Sequence, residues 1–193
     1  MTEITEKKAL REEYLLRRKE QPLSEGVRLS SFIEERLFAL PEFTSAKRLA
    51  LYASFDGEVA TEGILDHAIG RGKEVFYPKA DKDRKHLCFL NVMCKTDLTP
   101  GLFKIDEPDG DPDRSEAEVD TLDLIIVPGI VFDRGGMRVG YGKGFYDRVL
   151  NEAKAPKVGL AFDFQVLDSG EIPKEEHDVI VDILLTESGV WRF

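Results

Sequence analysis

Cysteine is nearly missing from this chain, which has only Cys88 and Cys94 among its 193 residues. Two thiols cannot staple a domain of this length, and their spacing with His67, His86 and His177 matches none of the paired zinc patterns. Both are expected to be reduced, cytosolic thiols with no assigned role. Long apolar runs are missing too. The longest stretch free of charged or strongly polar side chains, Leu124 to Phe132, is far short of the roughly 18 residues that span a bilayer. The opening "MTEITEKKALREEYLLRRKEQ" lacks the uncharged apolar centre of a secretory leader, so the mature chain is expected to start at or near Met1. Neither a membrane nor a nucleic acid is expected as a partner. The formal charge of −10 runs against the clustered Lys and Arg from which duplex binding draws its affinity.

What is there suits one domain over residues 1–193, with a hydrophobic fraction of 42%, enough for a core without disulfides or a structural metal. The charge is uneven. Residues 106–123, "DEPDGDPDRSEAEVDTLD", hold nine acids and one Arg, whereas residues 128–148 hold four bases and two acids. An anionic ligand therefore has to be held in a local basic island, and the second segment is one.

The periodicity predicts two opening helices. The first, about Thr5 to Lys19, sets Leu10, Tyr14 and Arg17/Arg18 at helical spacing; the second is capped by Ser24, with Val27, Ile33, Leu37 and Leu40 facing inward. "RLALYASF" (48–55) alternates Leu49, Leu51, Ala53 and Phe55 on one face of a strand. Thr61 is expected to cap a helix to Arg71, ended by Gly72 before the strand "EVFYP". "HLCFLNV" (86–92) reads as a further strand and the acidic, Pro/Gly-rich connection as a surface loop. "LDLIIVPG" is apolar throughout, as a strand buried on both faces is. A helix from about Lys143 to Ala153, the strands "KVGLAF" and "DVIVDILL", and "GVWRF" at an edge complete the pattern. Alternating strands and helices predict an α/β fold, three layers deep, with a mostly parallel central sheet covered by helices.

The stretch "VGYGKGFYDRVL" (139–150) follows the central strand, where open α/β sheets place their ligands. Gly140, Gly142 and Gly144 can adopt backbone angles closed to other residues and leave amide N–H groups bare for phosphate oxygens. The helix that begins there adds its positive end. Lys143 supplies a point charge, Arg138 a bidentate fork and Asp147 a hard oxygen ligand for Mg²⁺. A Walker A loop is excluded because Gly144 follows Lys143, and the dinucleotide pattern because Phe145 takes its last glycine. The same residues also fit a glycine-rich turn carrying Lys143 and Asp147 as an i,i+4 surface pair.

"DLIIVPGIVFDRGGMRVGYGKGFYDRVL" closely resembles the signature of the 5-formyltetrahydrofolate cyclo-ligase family, also called methenyltetrahydrofolate synthetases. "KKALR", "YASFDGEVAT", "RGKEVFYPK" and "HDVIVDILLTE" occur in the family's order; the resemblance is weakest over 80–120. It implies a fold like that of the sugar-phosphate isomerase and CoA-transferase group. It also implies an enzyme that converts 5-formyltetrahydrofolate to 5,10-methenyltetrahydrofolate, with ATP as co-substrate and Mg²⁺ as cofactor; the protein is expected to be cytoplasmic and a monomer. ADP and phosphate are released by way of an N5-iminium phosphate.

By position, the resemblance assigns Lys7, Lys8, Arg11, Arg138, Gly140, Tyr141, Gly142, Lys143, Gly144, Phe145 and Tyr146 to ATP, with Arg138 and Lys143 catalytic. Ala53, Phe55 and Glu58, together with Tyr141 to Phe145, border the folate. Asp147 and Asp182 are implied Mg²⁺ ligands. Phe145 stands where tyrosine is frequent, which keeps a ring and removes a hydroxyl. His177 matches a family position without a chemical role. Read without the resemblance, Lys7 and Arg11 also fit a solvated helix, Glu58 a loop carboxylate, Phe55 a core aromatic and Asp182 the polar face of a strand. Two other functions would use the same anion loop: sugar-phosphate isomerisation without ATP, or folate or nucleotide binding without catalysis.

Overall fold

The computed structural model describes residues 3–81, 83, 86–111 and 113–193; Met1, the expected start of the mature chain, lies outside them. Three helices come first, α1 (Glu3–Glu20), α2 (Leu23–Phe38) and the short α3 (Pro41–Ser45). Then follow β1 (Arg48–Ala50), α4 (Glu62–Gly70), β2 (Glu74–Asp81) and β3 (His86–Asn91). The acidic connection, expected to be a plain surface loop, contributes to β5: β4 (Leu98–Pro100) and β5 (Asp106–Pro108) form a ribbon, and β6 (Glu116–Ala117) joins an edge of the main sheet. β7 (Leu124–Val127), β8 (Val131–Asp133) and β9 (Arg138–Val139) lead to α5 (Phe145–Glu152), followed by β10 (Lys157–Leu160), β11 (Val166–Leu167), β12 (Ile183–Leu185) and β13 (Val190–Arg192).

Eight strands form the main sheet in the order β13-β12-β10-β7-β1-β2-β3-β6. Neighbours from β12 to β2 run parallel, and the outer strands β13, β3 and β6 are antiparallel. β7 is buried at every position. Its Leu124 and Ile126 share a core with Ile33 and Leu37 of α2, Phe43 of α3 and Ile64 of α4, whereas Ile125 and Val127 pack with Val149 and Leu150 of α5. This two-residue alternation between two covered faces is what the apolar run predicts. A third cluster joins Tyr14 of α1 to Ile130, Val131 and Val139 around the small sheet β11-β8-β9. Among the described residues no helix is long and apolar enough to cross a membrane.

Several local expectations are corrected. α2 starts at Leu23, after Pro22, so Ser24 lies inside the first turn and caps nothing; Val27 is exposed, and Leu40 is buried just ahead of α3. The strand at 48–55 ends at Ala50, because the chain closes into a loop in which the Tyr52 hydroxyl donates to the Val59 carbonyl and the Thr61 hydroxyl to the Tyr52 carbonyl. Thr61 precedes α4 without capping it. Gly72, at φ +74, does end that segment in the left-handed region. The late strand occupies only 183–185 of the expected 178–185.

One packing contact yields a stability prediction. A Cβ on Gly159 of β10 would lie 2.6 Å from Cε1 of the fully buried Phe132. Gly159→Ala should therefore overpack the sheet and cost about 1–3 kcal/mol, read as a lower urea midpoint at unchanged slope.

Candidate active site

A cavity of about 1050 Å³ opens where β1, β2 and β7 end at their carboxyl termini, the expected place for a ligand on such a sheet. Its walls include α1, the loop after β1, the stretch from Arg138 into α5 and residues 175–178, with further residues from β2, β3, the segment 102–107 and the chain just after β7.

α1 lays a polar stripe along the cavity. Lys7 is buried, with Nζ 2.5 Å from Asp178 Oδ2 and 3.1 Å from Glu175 Oε2. One turn later, Arg11 Nε donates to the Gly140 carbonyl at 2.8 Å. Arg18, two further turns on, donates through Nη2 to the Gly129 carbonyl at 2.6 Å and through Nη1 to the Tyr141 hydroxyl at 3.3 Å. Positions 7, 11, 14 and 18 share one helix face. Lys8 is on another: it is exposed, pairs with Glu12 and does not line the cavity. The structure thus separates Lys8 from Lys7 by the rotation of a single helical residue.

The glycine stretch bends as its composition requires. Gly142 (φ +79) and Gly144 (φ +68) occupy the left-handed region, and Gly144 caps α5. At Gly140 the constraint is proximity, since a Cβ there would lie 3.2 Å from Arg138 Nη1. Lys143 is exposed on this loop, at the cavity wall. Arg138 is buried and its Nη2 donates to Asp147 Oδ1 at 2.6 Å. Burial lowers the guanidinium pKa, while Asp147, Tyr146 and Asp178 oppose that shift. Tyr146 lies under Arg138, its ring centre 5.8 Å from the guanidinium carbon.

The other side of the cavity is apolar and aromatic. Ala53 and Phe55 follow β1, and Pro78, Leu87, Leu102 and Ile105 face the same space. Into this side projects Glu58, its side chain only 6% exposed, accepting the Phe55 amide at 3.2 Å and lying 3.6 Å from Arg18. Burial pushes its carboxyl up to about 7, with Arg18 opposing.

Asp182 requires the main correction. It immediately precedes β12, and its Oδ2 accepts the Lys157 amide at 2.7 Å. Asp123, just ahead of β7, ties the amides of Lys47 and Arg48 in the same way. Both acids thus sit at the amino end of a parallel sheet whose carboxyl end carries the cavity, and Asp182 is not brought to Asp147. Asp178, four residues earlier, is the acid that reaches the cavity. Sequence reasoning misses it because the alternation over 178–182 predicts a strand; the helical spacing sets Arg18 with Leu10 and Tyr14 but does not show what the guanidinium meets. Among the described residues no group of three or more His, Cys, Asp or Glu is arranged for a metal ion. Asp147 and Asp178 both line the cavity, where Arg138 engages the first and Lys7 the second; carboxylates of this kind are the ligand type that Mg²⁺ takes in small number.

A cleft at the carboxyl end of a parallel sheet, lined by a glycine stretch, by cations and by apolar and aromatic side chains, is the kind of site in which an α/β enzyme takes its ligands. Residues 3–187 match the model of the 5-formyltetrahydrofolate cyclo-ligase family, and the chain belongs to that family. It is 34% identical over 162 residues to the 5-formyltetrahydrofolate cyclo-ligase of Escherichia coli K12, covering 82% of this chain and 87% of that one. It is 32% identical over 192 residues to the corresponding mouse protein, covering 94% and 93%. The structure superposes on that of the Aquifex aeolicus 5,10-methenyltetrahydrofolate synthetase with a TM-score of 0.84 at 35% identity, over 96% of this chain and 92% of that one.

Proposed function

We propose that this protein converts 5-formyltetrahydrofolate to 5,10-methenyltetrahydrofolate, with MgATP going to ADP and phosphate. The observation that carries the reading is a single cavity with two unlike sides, in a chain of this family. Its volume is at the upper end for one small ligand and suits two.

The formyl group on N5 is an amide, so its oxygen leaves poorly and its carbon is a weak electrophile. Transfer of the ATP γ-phosphoryl group to that oxygen answers both difficulties: N10 then attacks the carbon, the ring closes with loss of the N10 proton, and phosphate departs. Such a transfer needs alignment and charge neutralisation above all. Lys143 and Arg138 neutralise the transferring group. The amides of Gly140 to Gly144 and the first turn of α5 hold the phosphates, and Lys7 and Arg11 meet the β/γ end. Lys7 must then exchange Asp178 for phosphate. Asp147 and Asp178 would hold Mg²⁺, which when bound offsets phosphate charge with water completing its coordination. On the other side Phe55 packs against a folate ring and Glu58 accepts pterin N–H groups. Residence in the cytosol and action as a monomer belong to the same reading.

The test mixes purified protein with 5-formyltetrahydrofolate and MgATP, following near-ultraviolet absorbance of the methenyl product alongside ADP. Equal, Mg²⁺-dependent formation of the two is expected. Bound folate without either product would sink the catalytic reading and leave folate or nucleotide storage. Turnover without ATP would point to an isomerase.

A further inference from the structure

Arg18 has no part in the chemistry above and does not line the cavity, yet it is fully enclosed behind two residues that do, Glu58 and Tyr141. Its side chain is inaccessible to solvent, and its Nε has no hydrogen-bond partner among the described residues. Gly57, at φ +76, packs on its stem so closely that a Cβ there would lie 3.0 Å from Arg18 Cγ. Burying a guanidinium costs free energy that a leucine or methionine at this position would not. What the charge obtains in return is two acceptors and an ion pair on three segments: the Gly129 carbonyl after β7, the Tyr141 hydroxyl on the glycine loop and, at 3.6 Å, the Glu58 carboxylate after β1.

We propose that Arg18 is a positioning residue for the folate: its guanidinium, 3.6 Å from the carboxylate, keeps Glu58 aimed into the cavity and fixes the Tyr141 hydroxyl beside it. The proposal rests on the assignment of Glu58 to the folate. The groups facing Glu58 are Arg18 from α1, Asp56 from its own loop, Tyr52 at the end of β1, and Tyr141 and Tyr146 from the glycine loop and α5. Burial and Asp56 favour the protonated acid, and Arg18 is the cation among these groups that opposes them. A carboxylate can accept N–H donors at both oxygens, whereas a protonated acid loses part of that capacity. Folate affinity should therefore fall as pH drops through about 7, the value to which burial raises Glu58. Without the cation, the Glu58 pKa rises further and the fall begins at higher pH.

The experiment is equilibrium binding of 5-formyltetrahydrofolate across pH, without ATP, for wild type, Arg18→Met, Arg18→Lys and Glu58→Gln, with ATP binding measured in parallel. Arg18→Met should weaken folate binding by about tenfold or more at neutral pH, move the inflection upward and disturb ATP far less. Arg18→Lys should return the inflection towards wild type. Equal weakening of folate and ATP by Arg18→Met, or an unmoved inflection, would overturn the proposal. Should Arg18→Met fail to fold, Arg18→Lys decides: a lysine keeps the charge but not the fork, so severalfold weaker folate binding supports the proposal and unchanged binding overturns it. Glu58→Gln should flatten the pH dependence. If instead it keeps the inflection, the assignment of Glu58 to the folate fails, independently of what Arg18 does.

Discussion

Lys143→Ala lowers kcat for methenyl formation by about 10²–10³-fold while leaving the free energy of unfolding within about 0.5 kcal/mol of wild type. The small stability effect follows from its position. Lys143 is exposed between two glycines in the left-handed region and contributes nothing to the three core clusters. The large kinetic effect follows from the loss of a compact charge at the transferring group. The guanidiniums nearby are engaged from fixed positions, Arg138 with Asp147, Arg11 with the Gly140 carbonyl and Arg148 with the Lys143 carbonyl, and replace it only in part. Lys143→Arg should fall between, because a planar fork replaces a compact ammonium on a tight loop. Absorbance assays at saturating substrates, paired with urea curves, measure both quantities. An unchanged kcat for Lys143→Ala would remove this residue from the phosphoryl-transfer step.

Asp147→Ala should damage both stability and rate. Arg138 is 5% exposed and Asp147 25%, with one charge-assisted bond of 2.6 Å between them. Removing the acid strands a buried guanidinium whose Nε already lacks a partner. The cost should be about 3 kcal/mol, the low end for breaking a buried pair, because Asp147 is partly solvated. The rate should fall by about 10²-fold or more, as expected when a metal ligand is lost. Asp147→Asn separates the two effects. Its amide oxygen can still accept from Arg138, so most of the stability returns, while the weaker ligand raises the Mg²⁺ concentration needed for half-maximal rate. A Mg²⁺ titration identical to wild type would remove Asp147 from the metal site.

The parts of this molecule that were legible in advance obey short-range rules. Leu124 to Val127 had to be a strand buried on both faces because every side chain is apolar, and Gly142 and Gly144 had to mark a loop that other residues could not form. The end of α4 was legible for the same reason, through Gly72. What was misread depends on partners distant in sequence. "HDVIVDILL" alternates like a strand, yet its first half gives up pairing because Asp178 is engaged by Lys7 of α1 and by the Glu175 amide. Periodicity places Asp182 on a polar face but does not say at which end of the sheet that face lies. Lys7 and Lys8 are adjacent cations with the same local surroundings, and only the docking of α1 decides which enters the cleft. Arg18 is the extreme case: its burial is created wholly by groups about forty to one hundred and twenty residues away.

That helix has a consequence for how the molecule comes into being. The bonds that seat α1 join Arg18 to Gly129, Arg11 to Gly140 and Lys7 to Asp178, across separations of 111, 129 and 171 residues. During synthesis, α1 leaves the ribosome before any of its seats exists. The strands of the sheet pair across shorter spans, the longest being β1 with β7, Leu49 opposite Leu124, whereas the helix waits until residue 178 has emerged. The first part of the catalytic surface to be made is therefore the last to be completed.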